Sequence, residues 1–279
     1  LDNFKEIRDR FERLAALPDE SVDLVSGALL IARTRYPHVD EGYYRQYVEA
    51  LADRFTSMLD RDDQPMEMID KLNLIVFDEE GFRGNRHDYF DPENSCLNRV
   101  IDRKLGIPIT LSLLYIAVGR LAGLNLHGIA LPGHFIAALF HPSERILLDP
   151  FNKAKILSEN DCQAIAGTRL DQHDPMHMLP LTPAHPKEIL VRMLRNLKAI
   201  YSHSSNDLKT FEMLHWLLVL KPEAAKERLE RGLRYEAMGN SDRAIEDLEQ
   251  YLRLSPASEN SLEIKSKIEQ LKGQTTWIH

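Results

Sequence analysis

Cysteine is scarce in this chain: Cys96 and Cys162 are the two in 279 residues. So few thiols in a chain this long exclude a disulfide framework. No apolar run is long enough to cross a membrane as a helix. The sequence opens on an amphipathic helical pattern rather than a secretory leader. Lys and Arg number 35 against 43 Asp and Glu, a net charge of −8, which argues against a general electrostatic footprint for nucleic acid. Glycine is sparse too. The punctuated loop Glu79-Glu80-Gly81-Phe82-Arg83-Gly84-Asn85 has too little of it, in the wrong place, to cradle a phosphate. These absences predict a cytoplasmic protein with no membrane and no direct nucleic-acid partner. What is present is ordinary for a soluble globular chain, 43% apolar and 28% charged, and the length suggests two domains with ample core.

Helical periodicity dominates the first 80 residues. Phe4, Ile7, Phe11 and Leu14 share one face of a first helix that ends near Pro18. Glu20 to Arg35, Glu41 to about Asp60 and Pro65 to Phe77 read as three more. None can bury an apolar face alone, so they are expected to pack on one another and on a central stretch, Tyr89 to Phe151.

That stretch begins with the Asp91-Pro92 turn. Asn94 or Ser95 is placed to cap a helix carrying Leu97, Val100 and Ile101, and Gly106 to end it in the left-handed conformation. Pro108 suits the first turn of the next helix, Ile109 to about Leu121. This helix is apolar on most sides and too short to span a bilayer, so it is a core helix. Leu126–Leu131, His134–Phe140 and Arg145–Leu148 then read as strands. A hairpin centred on His141-Pro142 sets His134 directly opposite Asp149, on one face. A carboxylate beside an imidazole holds its tautomer and stabilises the cation, as in catalytic triads. A register slip of one residue would part them.

The order of helix, G-x-x, core helix and strands bearing His and then Asp is similar to the transglutaminase-like fold. More narrowly, Tyr89–Leu114 and Pro132–Phe135 resemble the bacterial transglutaminase-like plus tetratricopeptide family named after the Sir B invasion-gene regulator. The strings N-S-x-L, G-I-P-I-T-L-S and P-G-H-F carry that likeness. Active members of the fold place a Cys in a G-x-C motif at the head of the core helix. Here the motif falls on Gly106-Ile107-Pro108, so the resemblance puts Pro108 at the nucleophile position and His134 and Asp149 at the other two. It implies the fold, with a candidate or remnant dyad. Cys96 is the nearby thiol; a place in the first turn of a helix would lower its pKa. Thr110 and Ser112 offer hydroxyls that could face His134, although capping or back-bonding suits them better.

Beyond Phe151, Ile156–Ala166 reads as a further helix, and the prolines between 168 and 186 forbid a continuous one. Tyr201 and Tyr235, Leu214 and Leu248, and Pro222 and Pro256 each lie 34 residues apart, the tetratricopeptide period. His173 and His177, with Asp171 and Asp174, have metal-ligating types, but Pro175 interrupts the spacing; no metal site and no cofactor is expected. Arg192, Arg195 and Lys198 form a basic stripe, read as a solvated face that could meet an acidic partner. Trp216 and Tyr251 read as repeat core.

The expected architecture is therefore α+β. It has a helical region at 1–80, a transglutaminase-like core with a small antiparallel sheet at 81–167, a proline-rich linker at 168–186, and two repeats with a capping helix at 187–279. The expected function is a non-catalytic interaction or regulatory protein that meets a protein or peptide through its repeats. The alternative is a cysteine-protease-like or amide hydrolase or transferase, using His134 and Asp149 with an unusual nucleophile or an activated water. Oligomeric state leaves no mark in the sequence.

Overall fold

A computed structural model describes residues 2–167 and 181–275. Contacts divide the chain into two compact units: Leu1–Arg10 with Ala16–Met193, and Phe11–Ala15 with Leu194–His279. In chain order the helices and strands are α1 Asp2–Ala16, α2 Leu24–Arg33, α3 Glu41–Met58, α4 Pro65–Asn73, β1 Arg83–Gly84, α5 Leu97–Arg103, β2 Leu105–Gly106 and α6 Pro108–Leu121. There follow β3 Leu126–Leu131, β4 His134–Phe140, β5 Arg145–Asp149, β6 Lys155–Leu157 and α7 Glu159–Gly167. The last helices are α8 Pro186–His203, α9 Asp207–Leu220, α10 Ala225–Ala237, α11 Ser241–Leu254 and α12 Ser261–Thr275. No helix among the described residues is long and apolar enough to cross a membrane.

The centre of the first unit is α6, buried from Pro108 to Gly119. Its all-round apolar character is what a helix enclosed on every side requires. The sheet runs β3-β4-β5-β6, antiparallel throughout. Alternation along β4 and β5 puts Ile136, Ala138 and Leu147 into a core with Cys162 of α7.

The hairpin differs from the sequence expectation by two residues. His141 and Glu144 exchange backbone bonds around Pro142-Ser143, and Ala137 pairs with Leu148. Position 151, not Asp149, therefore falls opposite His134. A shift of two keeps side chains on their original face, where a shift of one would not, so the imidazole and carboxylate remain diagonal neighbours.

Three local expectations are also corrected. Asp91, not Asn94 or Ser95, supplies the capping oxygen, to a 3-10 turn over Pro92–Ser95. Asn94 instead donates to the Asp88 carbonyl and accepts from Asn85. The αL residue ending α5 is Lys104, φ 58°, not Gly106. Lys104 holds this unfavourable conformation because its ammonium is anchored: it donates to Glu80 Oε2 at 2.8 Å and lies 4.4 Å from the ring centroids of Tyr47 and Phe82. Burial disfavours the Glu80 carboxylate, but Lys104, Tyr47 and Arg54 outweigh it and hold its pKa at about 2. Finally, the fourth helix turns into a π-helical segment at Leu74–Glu79.

The second unit repeats its turns with the 34-residue period. Asn206 and Asn240 each cap the next helix, accepting from Lys209 and Arg243 N–H groups. Each also donates its own N–H back to the matching tyrosine, Tyr201 or Tyr235. The residue before each asparagine has positive φ, 55° at Ser205 and 73° at Gly239. Glycine is free of strain there and serine is not. Phe11 stacks on Trp216 at 4.7 Å. The basic stripe is not a free face. Arg195 pairs with Glu227 at 2.7 Å and Lys198 with Glu230 at 2.5 Å, while Arg192 belongs to the site described below.

Asp247, 1% exposed, receives Arg228 and both donors of a bidentate Arg231. Removing one partner of such a buried cluster leaves the others uncompensated. Asp247→Ala should lower unfolding stability of the repeats by about 3 kcal/mol, read as a fall in the urea midpoint followed by far-UV dichroism. An unchanged midpoint would show that the two arginines find water instead.

Candidate functional site

His134 opens β4 directly after the Pro132-Gly133 turn and pairs across it with Leu131. Arg192, from the first turns of α8, secures that turn. Its Nη2 donates to the carbonyls of Leu131 at 2.9 Å and His134 at 2.7 Å. Its guanidinium lies 5.5 Å from the Phe135 ring centroid, and burial pushes its pKa down.

Asp149 ends β5 and is 2% exposed. Its Oδ1 accepts from the Phe151 N–H at 3.1 Å, and its Oδ2 accepts from Asn152 Nδ2 at 2.6 Å. The His134 Nε2 stands 3.0 Å from Oδ2. That nitrogen is enclosed, yet no hydrogen bond of good alignment reaches it, so the contact has ion-pair distance without hydrogen-bond direction. Burial opposes ionisation of Asp149; the imidazole, the Asn152 amide and the Phe151 N–H outweigh it and hold the carboxyl below its usual range.

Phe151 packs against the imidazole, centroids 6.2 Å apart and planes at 85°. Tyr89 meets its ring at 6.2 Å and Arg86 covers it at 5.4 Å. Arg86 also donates to Asn152 Oδ1. At Gly84 a Cβ would stand 2.6 Å from the Phe151 ring, so β1 must carry glycine for the ring to fit.

A cavity of about 500 Å³ opens beside the pair. His134, Asp149, Asn152 and Lys155 give it polar groups, and Leu157 and Ile165 an apolar wall. No residue of α6 lines it. Pro108 is the first residue of α6 and is buried.

The other candidates fall away from the chemistry. Cys96 precedes α5 rather than sitting in its first turn, and it is fully buried. Burial pushes its thiol up to about 12, the reverse of the lowering that a helix start would bring. Cys162 is buried as well, its thiol pushed up to about 11 mainly by burial. Thr110 Oγ1 accepts the Ile107 N–H and donates to the Asn94 carbonyl. Ser112 donates to the Phe135 carbonyl. Among the described residues no hydroxyl or thiol hydrogen-bonds the His134 ring. No cluster there could hold a metal ion; the His173/His177 pair lies outside the described residues. His127 contacts Arg120 and Asn125, and His141 contacts Ser143.

Sequence reasoning missed Asn152 and misread Arg192. The Asp-Pro-Phe-Asn string does carry an Asx-turn signal. Nothing local distinguishes Arg192 from its neighbours on the stripe.

The Asp149 linkage has a definite sign. With a folded pKa below the ordinary 3.8, its stabilisation is complete above that value and is lost as pH falls through the folded pKa. Urea midpoints of the wild type and Asp149→Asn, followed from about pH 7 to about pH 2, should therefore converge towards acid. A gap that stays constant over that range would remove the carboxylate charge from the account.

The transglutaminase-like superfamily model matches residues 43–195, and a tetratricopeptide repeat model matches residues 197–269. A UPF0162 protein of Xylella fastidiosa is 32% identical over 273 residues, covering 96% of this chain and 97% of that protein. A UPF0162 protein of Vibrio cholerae is 26% identical over 90% of this chain and 93% of its own. Human F-box only protein 21 is 27% identical over 204 residues, 70% of this chain but 30% of that protein. Among solved structures, menin aligns with a TM-score of 0.35 at 10% identity, over 95% of this chain and 73% of its own, which bears on neither fold nor function. With more than half its length matched by the one domain, followed by a tetratricopeptide match, and nearly all of it aligned with the Xylella protein, the chain belongs to the transglutaminase-like superfamily and to the UPF0162 family.

Proposed function

We propose that this is a non-catalytic, cytoplasmic interaction and regulatory protein, built on a transglutaminase-like domain that has lost its nucleophile. The observation that carries this is Pro108 at the head of α6. Covalent acyl transfer needs a thiolate or its equivalent, and proline has no such group. Neither neighbouring hydroxyl can substitute, since Thr110 and Ser112 donate to backbone carbonyls. A thiol buried and raised to about 12, as at Cys96, holds almost no thiolate at neutral pH. His134 and Asp149 then persist as a remnant dyad that anchors the hairpin end. Tetratricopeptide helices commonly present a surface to a peptide or protein, and residues 187–279 serve as the partner-binding module.

One observation favours a second reading. The pair lines an open cavity, where His134 could act as general base on a water, giving hydrolysis without a covalent intermediate. A panel of amide, ester and thioester substrates separates the two. The wild type and His134→Ala should show the same background turnover; turnover that His134→Ala abolishes would overturn the non-catalytic reading. Affinity capture tests the rest. A partner retained by the full chain and by His134→Ala should be lost from a folded chain ending at His203, and undiminished recovery on that shorter chain would exclude the repeats.

A further inference from the structure

The cavity beside the dyad carries two opposite charges that the dyad does not engage. Lys155 opposes Asp149 across β5 and β6, so the two side chains share a face of the sheet. Asp161 reaches the same cavity from the first turn of α7. Its Oδ2 accepts the Ser158 N–H at 2.8 Å and the Ser158 hydroxyl at 2.6 Å, and its own N–H donates back to Ser158 Oγ at 3.1 Å, a reciprocal cap. Among the described residues its Oδ1 has no hydrogen-bond partner. Ser158 does most to lower the Asp161 carboxyl, and the charge of Lys155 adds to it. The two charges thus feel each other, yet no ion pair joins them, and Lys155 has no other partner among the described residues. The remaining polar groups are engaged. Asp149 has the imidazole, the Asn152 amide and the Phe151 N–H, and Asn152 Oδ1 has Arg86.

The turn that brings Lys155 to this position is strained. Lys153, at φ 56° and ψ 44°, and Ala154, at φ 51°, take the left-handed region in succession, where an L side chain crowds its own backbone. Backbone held so gathers at ligand and active sites. Leu157, Ala164 and Ile165 form the apolar wall of the cavity, and Leu157 and Ile165 belong to the core under α7. A ligand of one charge would meet either Lys155 or Asp161 and oppose the other. We propose that the cavity binds a small zwitterion, its carboxylate on Lys155, its ammonium on Asp161 Oδ1 and an apolar side chain against Leu157 and Ile165. A free apolar amino acid and a short apolar peptide share that chemistry, and a cavity of about 500 Å³ admits either. The proposal rests on the reading of His134 and Asp149 as a non-catalytic remnant, since the ligand is held and released unchanged.

Isothermal titration of the full chain with leucine and with the dipeptide leucyl-leucine tests the assignment. At least one should bind saturably below about 1 mM, and the tighter of the two identifies the source. Isocaproate, which lacks the ammonium, and isoamylamine, which lacks the carboxylate, should each bind at least about tenfold more weakly than that zwitterion. Lys155→Met and Asp161→Asn should each weaken the zwitterion by about fivefold or more. Both positions are exposed, and asparagine still accepts from Ser158, so neither change threatens the fold. No saturable binding of either zwitterion, or binding indifferent to both substitutions, would overturn the proposal. So would equal binding of the acid or the amine alone. Each of these failures leaves the non-catalytic reading standing. Dipeptide that binds and is cleaved by the wild type but not by His134→Ala would support the ligand class and overturn that reading instead.

Discussion

The carboxylate of Asp149 is the point through which the first unit holds its site together. It is buried at the end of β5, and a backbone N–H, a side-chain amide and an imidazole converge on it. The Phe151 N–H and the Asn152 amide turn the chain sharply after the strand. The imidazole of His134 stands at ion-pair distance on the neighbouring strand. Phe151 is carried by that turn onto the imidazole and into the space left by Gly84. A buried anion tolerates no vacancy among its partners, so strand end, turn and ring are specified together.

Behind this pair stands α6, with no exposed residue from Pro108 to Gly119. Pro108 is well suited to begin such a helix, because the first turn has no use for its missing N–H. The same ring that makes a good helix start makes no nucleophile. Polar groups nearby are directed at the backbone: Thr110 joins α6 to the Asn94 carbonyl, and Ser112 joins it to β4. The hydroxyls thus lock the core helix to its surroundings. Arg192 does the same from α8, gripping two carbonyls beside the Pro132-Gly133 turn.

Much of the architecture was legible before any coordinates. Helical spacing marked α1 and α3, an all-round apolar run marked α6, and the turns at Pro132-Gly133 and His141-Pro142-Ser143 marked β3, β4 and β5 with their ends nearly right. The face shared by His134 and Asp149 followed from a period of two, and it survived an error of two residues in the hairpin because parity is indifferent to even shifts. The 34-residue period appears in the structure as repeated turns at Asn206 and Asn240. What went unread had distant causes. Lys104 takes a glycine-like conformation because Glu80 and two aromatic rings, far back in the chain, hold its ammonium. Arg192 looked like any cation on a helix stripe until β4 was beside it.

The sequence by itself determined the main helices, the strands β3 to β5, their order and the repeat, because helix and strand periodicity, proline and glycine act over a few residues; it read Ile156 and Leu157 as helix where they lie in β6. It also determined that position 108 carries no reactive side chain. Tertiary structure alone decided which polar groups are enclosed and by what. That is why the Cys96 thiol, placed by local rules where its pKa should fall, has it raised instead: desolvation by the packed core outweighs the start of one short helix.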